Sequence, residues 1–346
     1  MTEIFVIVGP TCVGKTSAAL DLCKNFGGEI VSADSRQIYK LMDIGTGKMP
    51  MEAGTSFVKK EAKWVVGDVN IWGYDLVEPG KYFSAYDYAA WALPKLKELL
   101  ASKVKVFLVG GTGFYVDVVT GRRTLEVASP DFVLRQNLEV QATEDLFLQL
   151  AVLNEEAAKR IDKFNRRRLI RALEKALTGN ASARKPLSYL KEAAFKFIGF
   201  DGKREFLYER ADKWVDAVWR KGLLEETKVL MEAGYSESPQ LNGLIYKSAR
   251  AHLNGELSED DALQRAKYDL HAYIRRQQTY FKLNEAPRTY VRDVLTSFDG
   301  AKSAEAKDRH SYAVSQPRSF AKEDKEIIWL DIQDPDFSAS LQSLVL

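Results

Sequence analysis

The feature that most constrains this chain is Gly9-Pro10-Thr11-Cys12-Val13-Gly14-Lys15-Thr16, the pattern G-x-x-x-x-G-K-T, placed directly after the apolar run Ile4-Phe5-Val6-Ile7-Val8. Five consecutive apolar residues predict a strand buried on both faces, as in a parallel sheet. That strand must turn sharply into a helix, and Gly9 and Gly14 give the backbone the freedom to do so. Successive backbone N–H groups of the loop then converge on a phosphate chain. Lys15 adds a point charge, and the hydroxyl of Thr16 is placed to hold Mg²⁺. The following helix, Ser17 to Asn25 with Ala18, Leu20 and Leu22 as core contacts, aims its positive end at the same anion. A phosphate or diphosphate site follows; the chemistry done there does not.

At 346 residues the chain can bury a substantial core and is expected to form more than one structural unit. A hydrophobic fraction of 46% suits a soluble globular protein. The chain opens directly into a strand without a signal-like segment, and no run is long enough to span a bilayer. Cys12 and Cys23 are the only cysteines, which excludes a zinc knuckle and suggests no disulfide framework. These features predict a cytoplasmic, reduced protein with no membrane association. The net charge is only +2, yet Lys159, Arg160, Lys163, Arg166, Arg167, Arg168 and Arg171 are opposed by Asp162 alone. A second basic cluster is Arg275-Arg276 with Lys282, Arg288 and Arg292. Most basic runs are solvated helix faces. Two of them beside a phosphate-binding core point to a polyanionic partner.

The predicted fold is α/β: a P-loop NTPase-like parallel sheet flanked by helices, with a small inserted helical domain. The expected boundaries are 1–120 for the first part of the core and 121–165 for the insertion. The core continues, mostly helical, over 166–282; 283–325 is an insert or linker rich in Ala, Ser, Lys, Asp and Glu, and 326–346 returns to the sheet. Glu29 to Ser32 reads as a short strand ending at Asp34. Asp34 is either a reactive carboxylate at a strand end, or, with Ser35, the cap of a helix holding Ile38 and Leu41. Gly45-Thr46-Gly47-Lys48 is a further polar loop, and Met49 to Gly67 is expected to be a surface excursion. Ser84 should cap a helix that buries Tyr86, Ala89, Trp91 and Leu93. Val104 to Val109 is a buried strand running into the glycine turn Gly110-Gly111-Thr112-Gly113, so the chain approaches its ligand twice. Phe195 to Phe200 and Glu326 to Asp331 are further strands.

Together these motifs resemble the tRNA dimethylallyltransferases. The resemblance rests on the phosphate loop, Asp34-Ser35-x-Gln37-x-Tyr39, Asp43-Ile44-Gly45-Thr46-x-Lys48 and Gly110 to Tyr115. It continues through Arg168-x-x-Arg171-Ala172-Leu173-Glu174, Gly222-Leu223-Leu224-x-Glu226 and Arg275-Arg276-Gln277-x-Thr279-Tyr280-Phe281. The family moves a dimethylallyl group from its diphosphate to the exocyclic N6 of the adenine beside the anticodon. The resemblance implies that Gly9 to Thr16 bind the diphosphate and that Lys15, Thr16 and Mg²⁺ neutralise it as it leaves. It further implies Asp34 as general base, Gln37 as reader of the adenine edge, and Ser35, Arg36, Thr112, Arg135, Arg167, Arg168, Arg171, Arg275 and Arg276 on the tRNA side. The partners would be dimethylallyl diphosphate and a tRNA anticodon stem-loop, bound by a monomer.

The chain departs from the family pattern in places. Ile71-Trp72-Gly73 stands where members carry His-His-Leu, Arg167 replaces a Gln, Ile245-Tyr246-Lys247-Ser248 replaces Gly-Tyr-Lys-Glu, and Tyr280 replaces Trp. A free-nucleotide (adenylate) dimethylallyltransferase shares the loop and the Asp motif, but such enzymes are shorter and lack most of the basic helical material. A P-loop small-molecule kinase would not predict Asp-Ser-x-Gln-x-Tyr, and a non-enzymatic RNA-binding module would have little use for Lys15 and Thr16.

Overall fold

The computed structural model describes residues 2–51, 54–123, 125, 129–179, 186–191, 193–283, 289–290 and 327–346. They divide into two compact units, residues 1–123 with 189–346, and residues 124–188.

The first unit opens with strand β1 (Thr2–Val8), helix α1 (Lys15–Phe26) and strand β2 (Glu29–Ser32). Three short strands follow: β3 (Phe57–Lys60), β4 (Lys63–Val66) and β5 (Val69–Trp72). Helix α2 (Ala85–Ala101), strand β6 (Val106–Gly110) and helix α3 (Gly113–Val119) complete this half. The second unit holds helices α4 (Phe132–Glu139), α5 (Thr143–Leu153), α6 (Glu155–Arg160) and α7 (Arg166–Thr178). The chain then resumes the first unit with β7 (Ala193–Asp201), α8 (Arg204–Val218), α9 (Leu224–Leu230), α10 (Leu244–Leu253) and α11 (Glu259–Leu283). It closes with β8 (Thr289–Tyr290), β9 (Ile327–Asp331) and α12 (Phe337–Val345).

The nine strands form one sheet in the order β3-β4-β5-β2-β6-β1-β7-β9-β8. From β5 to β8 every pairing is parallel. Ile4, Val6, Ile7 and Val8 of β1 are fully buried between β6 and β7. Each contributes about 1.5–3 kcal/mol of burial. The strand ends in Gly9, whose φ is +144° and where a Cβ would stand 2.3 Å from the Phe200 carbonyl oxygen. Only glycine makes that turn. Gly110, at the end of β6, is pinned in the same way: its Cβ would lie 2.1 Å from Ala33 O.

Several sequence expectations are corrected. The stretch Met49 to Gly67 is not wholly an excursion, because β4 pairs antiparallel with β5 and β3 antiparallel with β4, extending the sheet. Trp64 is fully buried and Val66 nearly so. A four-residue strand offers only two inward positions, too few to reveal a period against flanking lysines. Of the two alternatives for Asp34, the helix cap is excluded: residues 35–38 form turns, and Leu41, at φ 63°, is 47% exposed. In α1 the buried stripe is Ala19, Leu22 and Cys23, the spacing of one helix face. In α2 the buried side is Ala85, Tyr88, Ala89, Ala92, Leu93, Leu96 and Leu99, with Tyr86 and Trp91 only partly covered. Ser84 does cap α2, in a capping box with Asp87.

The helical unit has its own core of Leu138, Leu146, Leu150, Ala158, Leu169, Ile170 and Leu173. Three of these belong to α7, so the basic helix packs with α4–α6 in the 124–188 unit, beyond the residue 165 at which the sequence pattern ends the insertion. Of the expected linker 283–325, Leu283 and Thr289–Tyr290 are described, the latter pair forming a strand parallel to β9. The rest of that segment, with Arg288 and Arg292, lies outside the described residues.

Candidate active site

The carboxyl ends of β1, β2 and β6 open onto a cavity of about 480 Å³ in the α/β unit. The glycine loop contributes Thr11, Cys12, Gly14, Lys15 and Thr16 to its wall. The turn after β2 contributes Asp34, Arg36 and Gln37, and the loop after it Gly45 to Met51. Arg210, Lys213 and Trp214 reach in from α8, and Leu270, Tyr273 and Gln277 from α11. An apolar side is made by Leu20, Val66, Ile71, Leu244 and Ile245. Anion-binding backbone, a carboxylate and an apolar wall thus share one space.

Burial sets the electrostatics. The Lys15 ammonium is pulled down to about 8 by desolvation, which the nearby Asp34 charge partly offsets. Its Nζ donates to Pro10 O at 2.6 Å. Desolvation raises the Asp34 carboxyl above its ordinary value, opposed by the Arg36 N–H and by the charges of Lys15 and Arg36. Arg36 N donates to Asp34 Oδ1 at 2.8 Å, so Asp34 closes a local turn rather than capping a helix. Burial likewise pushes the Cys12 thiol up to about 11, which leaves it protonated and unreactive.

The turns that carry these groups are cross-braced. Ser35 N donates to Thr112 Oγ1 at 3.0 Å, and Ala33 N donates to Val109 O at 2.7 Å, locking the Asp34 turn against the second glycine turn. Gln277 joins the two glycine turns: its Oε1 accepts from Thr11 N at 2.8 Å, and its Nε2 donates to Gly111 O at 3.0 Å. Arg210 Nε donates to Cys12 O at 2.9 Å and so brings a guanidinium to the phosphate loop. Neither Gln277 nor Arg210 was assigned a role from sequence. Gln277 belongs to the Arg275-Arg276-Gln277 motif, whereas Arg210 carries no sequence signal, because 198 residues separate it from its partner.

The predicted site residues separate into groups. Thr11, Cys12, Gly14, Lys15 and Thr16 line the cavity, whereas Gly9, Pro10 and Val13 shape the loop from behind. Asp34, Arg36 and Gln37 line it as well, and Ser35 and Thr112 pair with each other beside it. Arg275 donates to Tyr208 Oη at 2.9 Å, and Arg276 lies over the Tyr273 ring, 5.7 Å from its centroid. In the helical unit Arg167, Arg168 and Arg171 are exposed. Arg135 makes a bidentate pair with Glu174, both contacts 2.8 Å, so its guanidinium is engaged inside that unit. Lys48, in the polar loop, also lines the cavity, and its buried ammonium is paired with Asp43 and Asp75. Ile71, in place of a family His, presents an apolar surface to the cavity. Tyr280, in place of Trp, donates to Asp117 at 2.5 Å.

The sequence profile of the IPP transferase family matches residues 37–284. The chain belongs to the IPP transferase family. A second profile, isopentenyl transferase, matches residues 2–59. Among similar proteins, the tRNA dimethylallyltransferase of Acetivibrio thermocellus is 35% identical over 295 residues, covering 82% of this chain and 89% of the relative. That of Geobacter metallireducens is 37% identical over 298 residues, covering 81% and 90%. The crystal structure of the tRNA isopentenylpyrophosphate transferase from Bacillus halodurans superposes with a TM-score of 0.62 at 26% identity, covering 100% of this chain and 96% of that one. A eukaryotic dimethylallyltransferase acting on tRNA shares the fold, with a TM-score of 0.64 at 19% identity over 99% of this chain and 78% of that one. The family thus accounts for the union of phosphate loop, Asp34 turn and helical unit in one chain. Among the described residues, no helix is long and apolar enough to cross a membrane.

Proposed function

We infer that this member of the IPP transferase family is a tRNA dimethylallyltransferase, moving the dimethylallyl group of dimethylallyl diphosphate onto the exocyclic N6 of the adenine beside the anticodon. The observation that carries the assignment of roles is the cavity that Lys15, Thr16 and Asp34 line together with apolar residues. A substrate with a diphosphate head and a branched five-carbon tail needs that combination. The N–H groups of the loop bind the diphosphate, and Lys15 with Arg210 supplies positive charge where negative charge grows as the allylic C–O bond breaks. Leu20, Val66 and Ile71 cover the hydrocarbon and exclude water. The adenine must leave its stack to reach this depth. Its amine attacks the allylic carbon, and Asp34 takes the proton released as the N6–C bond forms. A carboxylate made more basic by burial is suited to that task.

Mg²⁺ fits this donor set. It takes oxygen ligands and usually keeps substrate phosphates and waters around one or two protein groups. Thr16 offers such an oxygen beside Lys15, and the described residues contain no cluster of three acidic, His or Cys side chains that would bind a metal by itself. Thr16 would hold the ion with the diphosphate, where it would supply further neutralising charge to the leaving group. Exposed Arg167, Arg168 and Arg171 serve the tRNA backbone.

The deciding experiment offers labelled dimethylallyl diphosphate and Mg²⁺ to the protein with unmodified tRNA and, separately, with AMP. Label in tRNA, lost when the adenine beside the anticodon is replaced, is the expected result. Label in AMP alone would move the protein to the free-nucleotide enzymes, and label in neither would defeat the prenyl-transfer reading.

A further inference from the structure

The loop from Asp43 to Gly45 wraps its backbone N–H groups around one carboxylate. Glu226 Oε2 accepts from Asp43 N at 2.8 Å and Ile44 N at 2.7 Å, and Glu226 Oε1 accepts from Gly45 N at 3.1 Å and Tyr246 Oη at 2.6 Å. Gly45 has no side chain to spare here, since a Cβ would stand 2.5 Å from the Tyr246 ring. The carboxylate, carried on α9, therefore fixes a loop more than 180 residues earlier. Neither Glu226 nor Tyr246 lines the cavity, but Thr46 and Gln37 do.

The next residue of that loop holds Gln37. Gln37 Nε2 donates to Thr46 O at 3.2 Å, and Gln37 Oε1 accepts from Ser32 Oγ at 2.7 Å. A carbonyl can only accept, so Thr46 O decides which end of the amide is Nε2. A side-chain amide has two N–H donors and two acceptor lone pairs. One of each is used by Thr46 and Ser32, which leaves one donor and one acceptor on a side chain that lines the cavity. That pair is the complement of an adenine edge, which offers an amine donor beside a ring-nitrogen acceptor.

We propose that Glu226 is a positioning residue for adenine selection: by fixing the 43–46 loop it aims the Thr46 carbonyl, and that carbonyl orients the Gln37 amide toward the base. This rests on the proposed role of Gln37 as the reader of adenine. Glu226 touches no substrate, so its loss should act through Gln37 and spare the diphosphate side.

The test is a double-mutant cycle on the full chain, reading kcat and the KM of each substrate for wild type, Glu226→Gln, Gln37→Ala and the pair. The glutamine keeps one acceptor oxygen and turns an amide N–H against the loop's own N–H groups. Glu226→Gln is expected to raise the KM for tRNA about tenfold, the worth of one good base contact. The KM for dimethylallyl diphosphate should stay within about twofold, and the double variant should be no worse than Gln37→Ala. Multiplying losses, equal rises in both KM values, or a Gln37→Ala variant with unchanged tRNA KM would each overturn the proposal. If Glu226→Gln does not fold, Tyr246→Phe takes its place in the cycle with an expected rise of about threefold, judged by the same non-additivity. Absence of transfer to tRNA by the wild-type protein would instead defeat the functional reading itself.

Discussion

The cavity of the α/β unit and the basic helix of the helical unit, both proposed to bind phosphate, are built in opposite ways. At the cavity the Lys15 ammonium and the Asp34 carboxyl are desolvated and their proton affinities displaced, and their loops are tied to one another by side chains from distant helices. On α7 the arginines at 167, 168 and 171 stand in solvent, while the apolar face of the same helix builds a local core. Bond-breaking chemistry gains from fixed dipoles in a dry site, where each interaction is stronger and nothing has to reorganise. Binding a polyanion gains from exposed charge that displaces counterions, and tolerates mobility. Arg135 sharpens the contrast. It shares the unit of Arg168 but is committed to Glu174.

The largest break in this comparison is expected from Asp34→Asn. It should lower the transfer rate by ~10²-fold or more while tRNA and diphosphate binding remain nearly intact. Single-turnover transfer with independent binding measurements checks this; near-wild-type turnover would leave Asp34 a turn-forming residue only.

Arg135→Ala removes both hydrogen bonds to a nearly buried carboxylate and should destabilise the helical unit by about 2 kcal/mol. Thermal unfolding reports it, and the salt slope of tRNA binding should not change. A changed slope with unchanged stability would return Arg135 to the RNA contacts.

The shifted groups of the cavity predict a pH window. The Asp34 proton affinity is raised, so its base form is lost as pH falls, at a higher pH than for an ordinary aspartate. The Lys15 affinity is lowered, so its charge is lost as pH rises through about 8. In the free enzyme, kcat/KM for dimethylallyl diphosphate should therefore fall above that pH, by up to about tenfold per unit. The kcat profile should not show that limb, because a bound diphosphate keeps Lys15 protonated. A flat kcat/KM profile up to pH 10 would contradict a role for the Lys15 charge in capturing the diphosphate.

The smallest effect belongs to the exposed side. Arg168→Ala should weaken tRNA binding a few-fold and reduce the slope of log affinity against log salt by about 1. An unchanged slope would remove Arg168 from the phosphate contacts.

Much of the site was legible where function is concentrated in a short local pattern. The glycine loop announces itself because one strand, one turn and one helix N-terminus suffice to build an anion cradle, and Lys15 and Thr16 fall inside it. The Asp34 turn was half legible: its place at a strand end was evident, but whether it began a helix was not. That question was settled by the second glycine turn, which bonds Ala33 and Ser35 and leaves the following residues in turns. The β3–β4 hairpin was missed because four-residue strands among lysines show no periodicity. The buried face of α2 was misassigned at Tyr86 and Trp91 because large aromatics are amphipathic in use and can lie half in solvent.

What the sequence by itself determined is the local chemistry: a phosphate loop, a carboxylate at the end of the next strand, two glycine turns and a basic helix, each encoded within a few consecutive residues. The order of its motifs was enough to place the chain in its family. Only the tertiary structure decided which distant side chains complete these pieces. Arg210 reaches the phosphate loop, Gln277 spans both glycine turns, and Glu226 fixes the loop beside Gln37. These partners are separated by 166 to 266 residues. At such distances no periodicity links them, and only the packing of α8, α9 and α11 against the strand ends brings them within a hydrogen bond.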